Sequence, residues 1–152
     1  MAIDLKQAQR RLIEEAFGKG NLAVFDELCD PGYRDHDPVM GDGDLRQAKE
    51  RCKAYRSAFP DLKPTVLGAC SEGDTAVLHW RMTGTHRGEL MGIKPTGASC
   101  TAEGISISRF RNGKVVEDWV QWDALGLMRQ LGASPGMQAS TGGRPSEARP
   151  HT

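Results

Sequence analysis

Few side chains in this sequence are equipped for chemistry, and their spacing narrows what they can do. The 152 residues hold four histidines, His36, His79, His86 and His151, and no two stand one helical turn apart as a metal pair would. Asp35-His36-Asp37 offers ligand types in a row, but adjacent residues cannot all converge on one ion in regular structure. His36 is instead a candidate acid/base, with a backbone-bonded loop histidine as the plain alternative. The run Lys114–Trp122 carries adjacent carboxylates, Glu117 and Asp118. Side chains two apart on a strand share a face. Val116, Asp118, Val120 and Trp122 therefore look one way, and Glu117, Trp119 and Gln121 the other. No G-x-x-x-x-G-K-[ST], G-x-G-x-x-G or G-x-S-x-G motif is present, so nucleotide cofactors and a serine nucleophile elbow lack support. Cys29, Cys52, Cys70 and Cys100 form no C-x-x-C pair, and Cys52 and Cys70 occupy apolar-patterned positions. All four read as buried free thiols rather than disulfides or a zinc site.

The elements that position these groups follow from periodicity. Apolar residues at helical spacing predict a helix over 3–18, ended by Gly18 and Gly20. Asn21 is placed to cap a short helix over Leu22–Leu28, stopped at Pro31-Gly32. Tyr33 to Asp44 reads as a loop. Asp44 caps a third helix that buries Ala48, Cys52, Tyr55 and Phe59 and ends at Pro60. Strands follow at Leu62–Cys70, Thr75–Thr85, Ser99–Arg111 and Lys114–Trp122. Asn112-Gly113 makes the last hairpin turn, since both residues accept positive φ. In Thr75–Thr85, Trp80 and Met82 share a face opposite His79 and Arg81. His86–Gly97 is a long connection that His86 helps to shape, and Asp123 caps a helix over Ala124–Leu131. Helices first, then strands, predict an α+β fold: a curved antiparallel sheet, cone-shaped, with the N-terminal helices packed on one face. Where the layers part at one end they leave a cavity suited to a small molecule.

Composition bounds the rest. Twenty basic and 20 acidic residues give zero net charge, against the basic excess that nucleic-acid binding needs. One domain is expected over 1–132, and the Gly-, Pro- and Ser-rich 133–152 should be a disordered tail. No apolar run of about 18 residues exists to span a membrane. The charged N-terminus lacks a signal peptide's apolar core, so a cytoplasmic protein is expected.

Several stretches together carry a resemblance: YRDHDP (33–38), YRSAFPD (55–61), GTHRGELMGIKPTG (84–97) and GKVVEDWVQWDALGLMRQLG (113–132). Over roughly residues 5–132 the sequence resembles the SnoaL-like polyketide cyclases, within the NTF2-like group of α+β barrels. The resemblance implies a homodimer and a pocket for a flat polycyclic aromatic polyketide. It also implies chemistry with neither metal nor organic cofactor. In such cyclases a strand carboxylate moves protons to close the last ring of an anthracycline aglycone by an aldol reaction. The matching position here is Val120, and a pocket histidine of the cyclases falls on Ser106. Neither replacement is a competent base. Asp118, about 7 Å along the same strand face, supplies a carboxylate instead, and burial beside Trp122 would raise its pKa.

The family's hydroxylase branch suits this altered centre. There the substrate, reduced by a separate reductase, reacts with dioxygen while the protein positions it and manages protons. The first expectation is therefore cofactor-independent hydroxylation, with Asp118 and His36 as catalytic groups. Tyr33, Phe59, Trp80, Met82, Ser106, Val120 and Trp122 would hold the rings. Aldol cyclisation through Asp118 is the alternative, and a non-catalytic ligand-binding protein is the third reading, since fold does not fix function.

Overall fold

The structure, a computed structural model, describes residues 4–133; Ile3, His151 and the expected tail from residue 134 onward lie outside the described residues. Asp4 caps α1 (Leu5–Arg11) by accepting from the backbone N–H groups of Lys6 and Gln7. The helix then widens into a π-helical segment, Leu12–Phe17, which buries Leu12, Ile13 and Ala16. Gly20 closes it at φ +73°. In α2 (Ala23–Leu28) the cap position is Leu22, without a side-chain bond, so Asn21 does not cap as expected. Asn21 contributes its backbone carbonyl instead, to the Val24 N–H.

The largest departure lies between Cys29 and Asp44. In place of a loop the chain forms β1 (Cys29–Asp37) and β2 (Gly41–Asp44), paired antiparallel. β1 also runs parallel to β6 (Lys114–Trp122), with Asp35 opposite Asp118. Asp44 then starts α3 (Leu45–Ala58) with a full capping box, its carboxylate on the Gln47 N–H and the Gln47 side chain on the Asp44 N–H.

β3 (Lys63–Glu72), β4 (Thr75–Thr85) and β5 (Ser99–Arg111) complete a six-stranded sheet in the order β2-β1-β6-β5-β4-β3. The α+β expectation stands, with two corrections: the sheet is mixed rather than antiparallel, and it is curved but unclosed. Register shifts in the β1–β6, β3–β4 and β5–β6 ladders mark bulges, which bend strands and increase twist. The β5–β6 hairpin turns at Asn112-Gly113, at φ 51° and 78°.

The helices pack on one face of the sheet chiefly in two regions, with Ile13, Leu78 and Trp80 as a smaller third cluster. At one end Phe25, Leu28, Phe110 and Val115 pack with Leu12 and Ala16. At the other, Phe59 and Leu62 pack with Leu127 and Leu131. Each large apolar side chain so buried contributes about 1.5–3 kcal/mol. α4 (Ala124–Gln130) begins at Asp123, which accepts from the Gly126 N–H, and Gln130 bonds both backbone groups of Thr101. All four cysteines are free; three are buried, but Cys70 is exposed, because it lies on the uncovered half of edge strand β3. Among the described residues no helix is long and apolar enough to cross a membrane.

Candidate active site

Between the two packed regions the sheet and helices part around a cavity of about 160 Å³. Strand alternation decides who reaches it. From β6 come Asp118, Val120 and Trp122; from β4, Trp80 and Met82; from β5, Ser106. Phe59 closes it from the end of α3, and Tyr33 from β1. Eight of the nine sequence candidates therefore line one cavity. Val116, which alternation alone would place beside them, is buried but does not line it: the β5–β6 register shifts between Val115 and Glu117, and Val115 is the residue that packs in the core.

His36 is the exception. Because residues 29–37 form a strand, alternation turns Tyr33, Asp35 and Asp37 inward and His36 outward. On the outer face its ring stacks on Trp119 at 5.6 Å and bonds Glu117 at 2.7 Å and Asp42 at 2.8 Å. The Glu117 and Asp42 bonds raise its pKa. Its place is a surface ion-pair cluster, outside the cavity.

Asp118 sits at the centre of a buried hydrogen-bond chain. The Tyr33 hydroxyl donates to one carboxyl oxygen at 2.7 Å, and the Ser108 hydroxyl donates to the other. Ser108 Oγ in turn accepts from the Gln9 amide at 3.0 Å, which also donates to the Ala76 and Ser106 carbonyls. Burial pushes the Asp118 carboxyl up to about 6; the Ser108 and Tyr33 hydrogen bonds oppose this, and the nearby Asp35 adds to it. Burial likewise drives the Tyr33 phenol well above its ordinary range, so it stays a proton donor. A carboxyl near 6 can both take and return a proton around neutral pH. Ser106 is occupied rather than basic: it accepts from the Trp80 indole N–H at 3.0 Å.

A second polar group faces the same space. Asp35 is buried and paired to Arg51 at 3.0 Å, and burial raises its pKa even so. Arg51 also donates to the carbonyls of Met40 and Asp42. Sequence reasoning did not assign Asp35, Arg51, Gln9 or Ser108 to the site. For Asp35 the signal was strand parity, unreadable while residues 33–44 passed for a loop. Arg51 stands four residues before Tyr55 on the helix face already assigned to the core. His86 keeps its expected structural role: it is fully buried, and its Nδ1 lies 3.0 Å from Thr96 Oγ1 inside the β4–β5 connection. Among the described residues, no group of three or more His, Cys, Asp or Glu side chains could hold a metal ion.

The sequence matches the family model of the SnoaL-like polyketide cyclases over residues 7–131. The chain belongs to that family. Its structure is similar to AclR from Streptomyces galilaeus, named as a candidate hydroxylase: 25% identity, 93% of this chain and 92% of AclR covered, TM-score 0.77. It is also similar to IdmH from Streptomyces antibioticus, named as a candidate polyketide cyclase: 28% identity, 84% and 99% covered, TM-score 0.70. A Catenulispora acidiphila DSM 44928 protein described as ketosteroid isomerase-like in fold shares the architecture at 14% identity, 80% and 90% covered, TM-score 0.65. Among curated proteins no match is found. As a SnoaL-like protein the chain is a tailoring enzyme by family, and its cavity is where the chemistry must be sought.

Proposed function

We propose that this SnoaL-like enzyme performs acid/base catalysis on a flat aromatic polyketide, with Asp118 removing and returning the proton. The observation that carries the reading is the buried carboxyl near 6, held by Tyr33 and Ser108 inside an apolar cavity. The ionised Asp118 takes a proton from carbon next to a substrate carbonyl. The enolate attacks a second carbonyl of the same molecule, and protonated Asp118 returns its proton to the new alkoxide. One carbon–carbon bond forms, and no electron leaves the substrate. Trp80 and Trp122 offer aromatic surface for the rings, and Val120 and Met82 fill the wall.

Hydroxylation is the second reading, favoured by the similarity to AclR over nearly the whole chain and by Val120 in place of the cyclase carboxylate. In that case a separate reductase first delivers the dihydroquinone. Asp118 deprotonates it, and the carbanion adds to dioxygen to give a carbon-bound hydroperoxide. O–O cleavage leaves one oxygen on the ring and releases the other as water, the dihydroquinone returning to the quinone as it supplies the electrons. The homodimer implied by the resemblance would form on the outer sheet face, where Ile105, Ile107 and Trp119 are exposed; light scattering in solution tests it.

Mass spectrometry of anthracycline-type substrates, incubated with protein, a reductant and ¹⁸O-labelled dioxygen, separates the readings. An unlabelled isomer supports ring closure. A labelled product supports hydroxylation. Tight binding without any product overturns both and leaves a ligand-binding protein.

A further inference from the structure

Among the described residues, four buried side-chain polar atoms lack a hydrogen-bond partner: Gln9 Oε1, Asp35 Oδ1, Tyr55 Oη and His86 Nε2. Such atoms are rare and each calls for an explanation. Three of the four belong to residues that line the cavity; His86 does not. Asp35 and Tyr55 also share a neighbourhood, since the charges of Asp37, Arg51 and Asp35 all act on the Tyr55 phenol.

We infer that Asp35, Arg51 and Tyr55 form a second polar subsite, which takes a hydroxyl and a carbonyl carried on one edge of the aromatic ligand. The inference rests on the functional reading above and names the part of the ligand that this wall recognises.

Each member has a separate part. Arg51 is a positioning residue. Three of its five N–H donors are engaged, by Asp35 Oδ2 at 3.0 Å and by the Met40 and Asp42 carbonyls at 3.1 and 3.3 Å, which holds the carboxylate in place. Asp35 Oδ1 is left as an acceptor for a ligand hydroxyl. Tyr55 supplies the converse, a free phenolic donor for a ligand carbonyl. Its ring packs edge-on against Trp122, with centroids 6.1 Å apart at 89°, which holds the phenol in place. An acceptor and a donor on one wall complement a ligand edge bearing hydroxyl and carbonyl together. Because Asp35 pairs with Asp118 across neighbouring strands, the subsite lies about one strand spacing, 4.7–4.9 Å, from the acid/base group at backbone level. A ring anchored there presents its adjoining carbons to Asp118.

The test uses 2-hydroxy-9,10-anthraquinone and its methyl ether as probes, with binding read from quenching of tryptophan emission. Wild type should bind the free hydroxyl more tightly than the ether. Asp35→Asn should shrink that preference. Tyr55→Phe should weaken both probes by about 3- to 10-fold, one neutral hydrogen bond, and leave their ratio unchanged. The Tyr55 oxygen has no protein partner to lose, so this variant should keep the wild-type thermal midpoint. If Asp35→Asn fails to fold because Arg51 is left under-compensated, Tyr55→Phe decides alone. A folded Tyr55→Phe protein that binds both probes as wild type does overturns the subsite and spares the functional reading. Wild type binding neither probe overturns the functional reading and the subsite with it.

Discussion

Replacing Asp118 by Asn isolates the energetics of the buried carboxyl. In the folded protein burial sets its pKa at about 6, whereas the unfolded chain returns it to about 3.9. Between those values the folded state binds more protons than the unfolded state. The contribution to stability is therefore full below about pH 4, falls as pH rises through about 6, and stays reduced above. A difference of about two units, at about 1.36 kcal/mol each, amounts to about 3 kcal/mol. Asn carries no charge at any pH and escapes this loss. Urea unfolding of both proteins across that range is the assay. The variant-minus-wild-type stability should climb by up to about 3 kcal/mol with rising pH. Subtraction cancels His36, whose raised pKa titrates in both proteins. At neutral pH the variant should be relatively stabilised while turnover falls by about 100-fold or more. A difference that stays flat across the titration would refute the raised pKa, and full turnover by a folded variant would refute the role.

Other perturbations test the surroundings. Tyr33→Phe removes a hydrogen bond that favours ionised Asp118, so the acidic limb of kcat/KM, which requires the carboxylate, should move to higher pH. Gly104→Ala would drive a methyl group into the Trp80 ring and the Trp122 Cβ; a loss of about 1–3 kcal/mol in chemical denaturation and weaker probe binding are expected. His36→Gln should leave turnover unchanged, because His36 lies outside the cavity. Its raised pKa predicts that any stability it adds is present at low pH and lost as pH rises through that pKa, which thermal melts at acidic and alkaline pH would register.

The sheet's later half was legible because its cues are local. Alternation in Thr75–Thr85 and Lys114–Trp122 assigned Trp80, Met82, Val120 and Trp122 to one side, and Asn112-Gly113 fixed the hairpin between. Capping residues marked the starts of α3 and α4. β1 was illegible because DPGYRDHD has neither apolar alternation nor a strand former beyond Tyr33, and Pro31-Gly32 imitates a stop. Its strand state comes from parallel pairing with β6, some 80 residues away, which no local window contains. That one omission put His36 on the wrong side and hid Asp35. Gln9 was hidden differently: a polar residue beside an apolar helical stripe gives no sign that its amide ends on strand carbonyls.

The Gln9 amide also bears on how the enzyme comes into being. It ties α1 to Ala76, Ser106 and Ser108, residues 67 to 99 positions later. Closing loops of that length costs entropy before any contact repays it, so such pairings slow folding. Ser108 is the residue through which this tie reaches Asp118. Asp118 is an ordinary, wetted aspartate in the unfolded chain, so its raised pKa, which rests on burial, is itself a product of folding.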